Sequence, residues 1–337
     1  MAVTPSGDVY LAGMAGAGFP VTATAPQPCF SGYLASSAGF VAHLNPQGAL
    51  ADATYLSIAQ PYQINFVFGL TPEANGAVKV IWHYAGNNVA SVIRFGSNGW
   101  TAPACLSTAV LNAATLDAGM GVAAGELVTL SGFGIGPETG VGYQAGANGS
   151  VPNRLGGVQV FFDGSPAPVL YAQSRQINAI APSAFKDQLV TFLTVTYNGQ
   201  QFGALELPVV PANPGVFRLS ASSQAAAINQ DSTVNGPSNP AAPGSIVAIW
   251  TTGLGLTDPP CIVGGLNLPQ SIGLDPSIVV HVPGLTYAGS APGMVCGVVQ
   301  MNVQIPNVPP GNSNIQPGVN AGTAYYVAPV SATLAVK

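Results

Sequence analysis

The stretch Gly125-Glu-Leu-Val-Thr-Leu-Ser-Gly-Phe-Gly134-Ile-Gly136 is repeated by Gly244-Ser-Ile-Val-Ala-Ile-Trp-Thr-Thr-Gly253-Leu-Gly255 at a constant offset of 119 residues. Each copy places β-branched and aliphatic residues between glycines, a pattern typical of a strand that is bounded by turns. A self-similarity at a fixed period is the signature of a repeated structural unit.

A second motif recurs in the same order farther along the chain. Gln176-Ile-Asn178-Ala-Ile-Ala-Pro182 matches Gln300-Met-Asn302-Val-Gln-Ile-Pro306 at an offset of 124 residues. The two motifs together predict two copies of one module of roughly 110–120 residues, a size that suits an immunoglobulin-like β-sandwich. We place the copies at residues 106–212 and 213–337.

The recurring polar and glycine positions are predicted to have structural roles. We expect the glycines to mark a β-bulge or a close approach of two backbones. Each Gln and Asn pair lies two residues apart and therefore shares one strand face, where side-chain-to-backbone bonds to a neighbouring loop are favoured over a polar ligand stripe. These positions are Gly125, Gly134, Gly136, Gln176 and Asn178 in the first copy, and Gly244, Gly253, Gly255, Gln300 and Asn302 in the second.

Turn signals recur about every 8–12 residues and predict an all-β chain. Asn198-Gly199 separates two strand-like runs, 189–196 and 201–210, and predicts a type I′ hairpin because both residues tolerate positive φ. Within residues 1–105, Phe40-Val-Ala-His-Leu-Asn-Pro-Gln-Gly48 aligns with Ser91-Val-Ile-Arg-Phe-Gly-Ser-Asn-Gly99 at an offset of 51. That spacing fits four-stranded propeller blades, so we expect a partial propeller-like β-meander followed by two sandwiches.

These residues resemble two bacterial families. Gly7-Asp-Val-Tyr-Leu-Ala-Gly13 and Phe40–Gly48 resemble the SBBP-type β-propeller repeat. Val110-Leu-Asn-Ala-Ala114, Asn239-Pro-Ala-Ala-Pro-Gly244 and the second Gln-x-Asn motif are similar to the uncharacterised Solibacter-type C-terminal domain, over about residues 106–337. The resemblance implies a large secreted acidobacterial protein that ends in this module and has no assigned activity.

Composition excludes several classes of protein. The 337 residues are 48% hydrophobic but only 6% charged, with 7 Lys and Arg against 12 Asp and Glu and a net charge of −5. So much apolar content argues against disorder, and so few cations argue against nucleic-acid binding. Turn residues interrupt every long uncharged stretch, so we expect no membrane span. The scarcity of titratable groups also predicts a stability that depends weakly on pH.

The low charge, the abundant turn residues and the strand-rich pattern favour secretion, and disulfides between the four cysteines would persist in an oxidising compartment. The most local pairing joins Cys29 to Cys105 and Cys261 to Cys296, and four free buried thiols are the alternative. Residues 1–5 have neither the basic start nor the apolar run of a signal peptide. We therefore expect a mature form, a fragment, or a sequence that lacks its natural start.

The sequence contains no assembled catalytic set. It has no G-x-S-x-G nucleophile elbow, H-E-x-x-H motif or D-x-D-x-D-G calcium loop. His43, His83 and His281 lie in separate modules and are expected to be packed or rim residues. Glu126, Glu138 and Asp163 fall in turns or at strand starts and do not form a predicted catalytic pair. We expect no enzymatic activity, no cofactor and no metal.

The predicted function is therefore that of a secreted structural protein at the cell surface or in an extracellular fibre. We expect it to self-associate through β edges and so form adhesive layers or filaments, with copies of itself as partner. Edges are predicted within the truncated propeller and along residues 324–336, which are strand-like and nearly uncharged. The alternative is an accessory module that binds polysaccharide or another surface through aromatics such as Trp82, Tyr84, Trp100, Tyr325 and Tyr326. An enzyme on a β scaffold is the least favoured interpretation.

Overall fold

The computed structural model describes residues 1–16, 18–22, 25, 38–56, 65–73, 78–84, 89–95, 105–117, 119–146, 149–219 and 222–337. In those residues the regular structure consists of β-strands and one 3₁₀ turn, Ser183–Phe185, which confirms the predicted all-β class. The chain divides into two compact units. Unit 1 comprises 1–109 and 131–134, and unit 2 comprises 110–130 and 135–337.

Unit 1 is a β-meander in which consecutive strands pair antiparallel. One sheet has the order β1-β2-β3-β4 and the other the order β5-β6-β7. Tyr10, Val41, Val78 and Val80 from the two sheets form a common buried cluster. The strands are β1 (Ala2–Val3), β2 (Val9–Ala15), β3 (Ala38–Leu44), β4 (Leu50–Leu56), β5 (Asn65–Pro72), β6 (Val78–Tyr84) and β7 (Val89–Phe95).

The first sandwich is built from two five-stranded sheets, with the orders β11-β14-β15-β10-β8 and β13-β12-β16-β17-β9. Alternate residues of the strands are buried between the sheets, as Val158, Val160 and Phe162 are on β12. The strands are β8 (Cys105–Asn112), β9 (Val122–Ala123), β10 (Leu127–Phe133), β11 (Val141–Gly142), β12 (Val158–Phe162), β13 (Ser165–Ala167), β14 (Val169–Gln173), β15 (Gln176–Ile180), β16 (Val190–Tyr197) and β17 (Gln200–Val210).

The predicted hairpin lies in this sandwich. Tyr197 of β16 faces Gln200 of β17 across Asn198 and Gly199, whose φ values are 50° and 82°. Positive φ at both central residues is what a type I′ turn requires, so this prediction is confirmed.

The second sandwich has a sheet with the order β18-β20-β23-β22, which faces the sheets β21-β25-β26 and β24-β27. Val247, Ile249 and Met301 of the first sheet share one core with Val319 and Leu334 of the others. The strands are β18 (Gly215–Val216), β19 (Ala227–Ile228), β20 (Ile246–Thr252), β21 (Ile278–His281), β22 (Leu285–Ser290), β23 (Val299–Gln304), β24 (Gly311–Ile315), β25 (Gly318–Ala321), β26 (Ala324–Val327) and β27 (Ala332–Val336).

The sequence repeat is a structural repeat. Adding 119 to the residue numbers of β10 carries its bounds onto those of β20. Each of these strands then pairs with the strand that carries the Gln-x-Asn motif, β15 in the first sandwich and β23 in the second. The offset therefore preserves strand pairing as well as sequence.

The last strand corrects one expectation. Residues 331–336 are predicted to be available to a neighbouring chain, but β27 pairs with β24 and Leu334 is fully buried. Its other edge is also occupied, because Ala225 N donates to Thr333 O and Ala241 N donates to Ala335 O, each over 2.9 Å. The strand-like, nearly uncharged character on which the expectation rested belongs to a strand whose side chains pack in the core of its own sandwich.

Cys261 and Cys296 form the predicted disulfide, with a Cα–Cα distance of 5.7 Å. The bridge joins the loop before β21 to the loop between β22 and β23. Asn267, on the bridged loop, donates from Nδ2 to Ala291 O over 3.1 Å. The predicted partner bridge between Cys29 and Cys105 lies outside the described residues.

We predict that replacing both Cys261 and Cys296 by alanine lowers the free energy of unfolding of unit 2 by about 3–4 kcal/mol. The bridge closes a segment with a sequence separation of 35 residues, and its loss returns that segment's loop-closure entropy to the unfolded chain. Urea unfolding followed by tryptophan fluorescence measures the change. An unaltered midpoint and slope would contradict the prediction.

Candidate functional site

The first glycine of each repeat turns the chain into the strand that follows it. Gly125 and Gly244 have φ values of 77° and 80°. Gly125 N donates to Ala181 O over 3.0 Å, and Gly244 N donates to Ile305 O over 2.8 Å, with the two acceptors again 124 residues apart. Positive φ is the conformation that glycine adopts without steric cost.

The later glycines lie where a neighbouring backbone or side chain comes close. Gly134 and Gly253 have φ values of 63° and 73°, and a Cβ at Gly253 would collide with the carbonyl oxygen of Asn213. A Cβ at Gly136 would lie 2.7 Å from Gln173 O, and one at Gly255 would lie 3.0 Å from Ile278 Cγ1. These glycines thus pack against backbone or core and do not line an open site.

The Gln and Asn pairs share one strand face but bond differently from the prediction. Gln176 Nε2 donates to Asn178 Oδ1 over 2.9 Å, and Gln300 Nε2 donates to Asn302 Oδ1 over 2.8 Å. The expected bonds to a loop backbone are therefore wrong for these contacts. Side chains at i and i+2 of a strand are neighbours, so each Gln reaches its own Asn first.

Two tyrosines that sequence reasoning missed belong to the same repeat. Tyr171 lies opposite Asn178, and Tyr287 lies opposite Asn302, each immediately after an irregularity in the strand register. The Tyr287 hydroxyl donates to Ser290 O over 3.0 Å. Their spacing of 116 residues differs from the other two offsets, which hides the match in an ungapped alignment.

Glu126 is a fully buried carboxyl group beside the segment that joins the two sandwiches. Ala123 N donates to Oε2 over 2.8 Å, and Asn213 Nδ2 donates to Oε1 over 2.9 Å. Asn112 Nδ2 in turn donates to Asn213 O over 2.8 Å. Burial raises the pKa of Glu126 from 4.5 to about 8, against the opposing effect of these N–H donors.

This carboxyl group predicts a pH dependence that composition did not suggest. Since the folded pKa lies above the ordinary value of 4.5, the folded chain keeps a proton that the unfolded chain releases between pH 4.5 and about 8. Its stabilising contribution is complete below pH 4.5 and is lost as the pH rises to about 8. The free energy of unfolding should fall by up to about 1.4 kcal/mol per pH unit in that window.

Urea titrations at intervals from pH 5 to pH 8 measure this slope. Glu126→Gln should flatten the profile, because glutamine carries no titrating proton. The matched control Asp187→Asn alters a carboxyl group that is 84% exposed and should keep the slope. An equal slope in Glu126→Gln and in the unaltered chain would refute the assignment to Glu126.

The His43 side chain in unit 1 forms hydrogen bonds with two aspartates, one on either side of its own strand. Its Nε2 lies 2.9 Å from Asp8 Oδ1, its Nδ1 lies 3.3 Å from Asp52 Oδ2, and its ring stacks on Tyr10 at 4.5 Å. The pKa of Asp8 is lowered, first by the Ser6 hydroxyl and then by His43. The His43 side chain is 20% exposed and is held by hydrogen bonds from both ring nitrogens to carboxylates. The side chain of His83 lies outside the described residues.

Two strand edges in the described residues, those of β4 and β22, are covered by other segments of the chain. At β4, Thr22 N donates to Ala53 O over 3.0 Å. At β22, Ser290 N donates to Ile272 O over 2.7 Å. Such covering removes the unpaired N–H and C=O groups that recruit foreign strands. The edge predicted in the N-terminal region is thus partly closed at β4.

The edge of β26, residues 324–327, is open within the described part of the chain. This strand pairs with β25 on one side and is the last strand of its sheet. Ala328 N donates to Pro317 O on the β25 side over 3.0 Å. In an antiparallel pair, every second residue directs its N–H and C=O groups toward the partner strand, so Tyr326 and Ala324 also point toward β25. The N–H and C=O groups of Tyr325 and Val327 therefore point outward from the sheet.

The sheet β21-β25-β26, which we call the terminal sheet, also has an exposed, uncharged face. Val279, Tyr325 and Val327 are 50%, 55% and 45% exposed. His281 lies edge-on to Tyr325 with ring centroids 5.9 Å apart, and the tyrosine hydroxyl lies over Gly318 where a Cβ would otherwise be. None of the residues in these three strands is Asp, Glu, Lys or Arg.

No helix in the described residues has the length and apolar character needed to cross a membrane. The same residues contain no group of three or more His, Cys, Asp or Glu side chains placed to hold a metal ion. A comparison of the sequence with protein-family models and with curated proteins finds no match. The β26 edge and the exposed face of the terminal sheet are accordingly the candidate functional site.

Proposed function

We propose that this chain is a non-enzymatic, secreted structural protein of the cell surface or of an extracellular fibre, and that it self-associates through the β26 edge. The observation that carries the proposal is the outward direction of the main-chain groups of Tyr325 and Val327. An open edge of this kind can add a strand from another chain, with main-chain hydrogen bonds supplying the affinity.

The lack of charge at the terminal sheet supports this role. Natural proteins commonly protect a free edge with lysine, an inward-pointing charge or a proline. β26 has none of these within its bounds, and its exposed side chains are Tyr325 and Val327. Two copies can approach here without repulsion between like charges or desolvation of ionic groups.

The disulfide and the predicted family support the proposed location. A bridge such as Cys261–Cys296 persists in oxidising compartments and is uncommon in the cytosol. The resemblance to secreted bacterial proteins stays a prediction and agrees with an extracellular site.

Polysaccharide binding is the second candidate, favoured by the position of one aromatic ring. Tyr325 lies against the sheet over Gly318 and is 55% exposed, with Asn320 directly opposite it on β25. The exposed ring can stack on a sugar, and the neighbouring amide can donate a hydrogen bond to the same sugar. Glycan-array binding that Tyr325→Ala abolishes would favour this function, and an array without signal would count against it.

We predict that Val327→Pro prevents self-association and leaves the fold intact. Proline removes an N–H that points away from β25, so the ladder within the sheet keeps its bonds. Light scattering over a range of micromolar concentrations should show assemblies for the unaltered chain and a 33.8 kDa monomer for the variant.

Val327→Thr is the matched control, because threonine keeps both the N–H group and the β-branched shape. It should assemble like the unaltered chain, and circular dichroism should show the same β content for all three proteins. A monomeric unaltered chain at every concentration would overturn the proposed function.

A further inference from the structure

We infer that two copies of this chain pair their β26 strands antiparallel about a two-fold axis that passes beside Tyr326, which joins two terminal sheets into one of six strands. This inference rests on the proposed function, and it specifies the partner strand and the register of the contact.

The length of the open edge limits the possible registers. On one side β26 ends at the hairpin turn Gly322–Thr323, where Gly322 has a φ of 60°. On the other side the strand ends at Val327, and Pro329 has no N–H to donate. The outward-pointing residues of the strand are therefore Tyr325 and Val327, which supply two donors and two acceptors.

One antiparallel register uses all of these groups in both copies. When Tyr325 lies opposite Val327 of the second copy, each such pair exchanges two main-chain hydrogen bonds. The two-fold axis repeats the pair, which gives four bonds in all. A shift that places Tyr325 opposite itself moves Val327 toward the turn residue Thr323, and the opposite shift moves Tyr325 toward Pro329. Each shifted register leaves outward groups unpaired.

The side chains fit the same register. Tyr325 and Val327 project from the exposed face, so the contact forms two aromatic–β-branched pairs across the new strand boundary, a favourable combination in antiparallel sheets. The Tyr326 side chain projects toward the core of its own sandwich. In the proposed register, the main chains of the two Tyr326 residues lie opposite each other beside the axis. His281 is the histidine of the terminal sheet, and it lies on β21, two strands away from the contact.

A two-fold contact has a consequence for the proposed assembly. The same surface is used on both subunits, so pairing at β26 closes after two copies. The dimer is then the unit of any layer or fibre, and further growth requires a different surface.

Disulfide cross-linking tests the register. Directly opposite residues of a hydrogen-bonded pair have Cα atoms about 5.5 Å apart, which a disulfide can bridge, whereas diagonal neighbours are about 7–8 Å apart. The double variant Tyr325→Cys/Val327→Cys should form a covalent dimer under mild oxidation, with position 325 linked to position 327. Each single variant, Tyr325→Cys or Val327→Cys, should give at least several-fold less dimer on a non-reducing gel.

Each other outcome is informative. Efficient cross-linking of either single variant would overturn this register in favour of a shifted one. A dimer seen by light scattering, with no cross-link in any variant, would overturn β26 pairing and leave self-association through another surface. A monomer in light scattering would overturn the proposed function itself.

Discussion

The pairing of main-chain N–H and C=O groups at strand edges is the constraint on which the rest of this structure depends. An all-β chain has many such edges, and a composition with 6% charged residues cannot guard them by charge. In the described residues, the chain covers the edges of β4, β22 and β27 with its own segments. The buried side chain of Asn235 shows the principle, because it donates to Ala335 O and accepts from Ala335 N, each over 2.9 Å, and so acts as a short piece of strand. The β26 edge has no such covering segment among the described residues, and its exposed side chains, Tyr325 and Val327, are uncharged.

The two sandwiches share the same main-chain hydrogen bonds at positions related by the repeat, but the side chains at these positions differ. Ala181 N donates to Glu126 O in the first, and Ile305 N donates to Ser245 O in the second, at positions related by the repeat. The side chains at these two positions form hydrogen bonds with different parts of the chain. The Ser245 hydroxyl donates to the nearby Ala242 O over 2.6 Å, whereas the Glu126 carboxyl accepts a bond from Asn213 in the connecting segment. The buried Glu126 carboxyl group, with its neutral partners, is the reason we predict a pH-dependent stability, whereas Ser245 keeps its bond within its own turn.

The sequence predicts the features that depend on local pattern. The repeat that relates β10 to β20 is seen as self-similarity in the sequence, the Asn198–Gly199 turn follows from turn chemistry, and the Cys261–Cys296 bridge is the most local cysteine pairing. Features that depend on distant packing were not predictable in this way. Glu126 begins a strand in the sequence, but the structure buries it and pairs it with Asn213, which lies 87 residues away. The same limit applies to the C-terminal strands. Tyr325 and Leu334 lie in similar uncharged runs, yet one is exposed and the other is buried, because β24 and the residues near Ala225 and Ala241 enclose β27 and leave β26 open.

Amide hydrogen exchange at different protein concentrations tests the central claim most directly, because it reports on the N–H groups that define the edge. At low concentration the amides of Tyr325 and Val327 should exchange quickly, while those of Ala324 and Tyr326 are protected by β25. At concentrations where the chain assembles, all four amides should be protected. Fast exchange at Tyr325 and Val327 in the assembled protein would contradict the account, since the edge would then still face water.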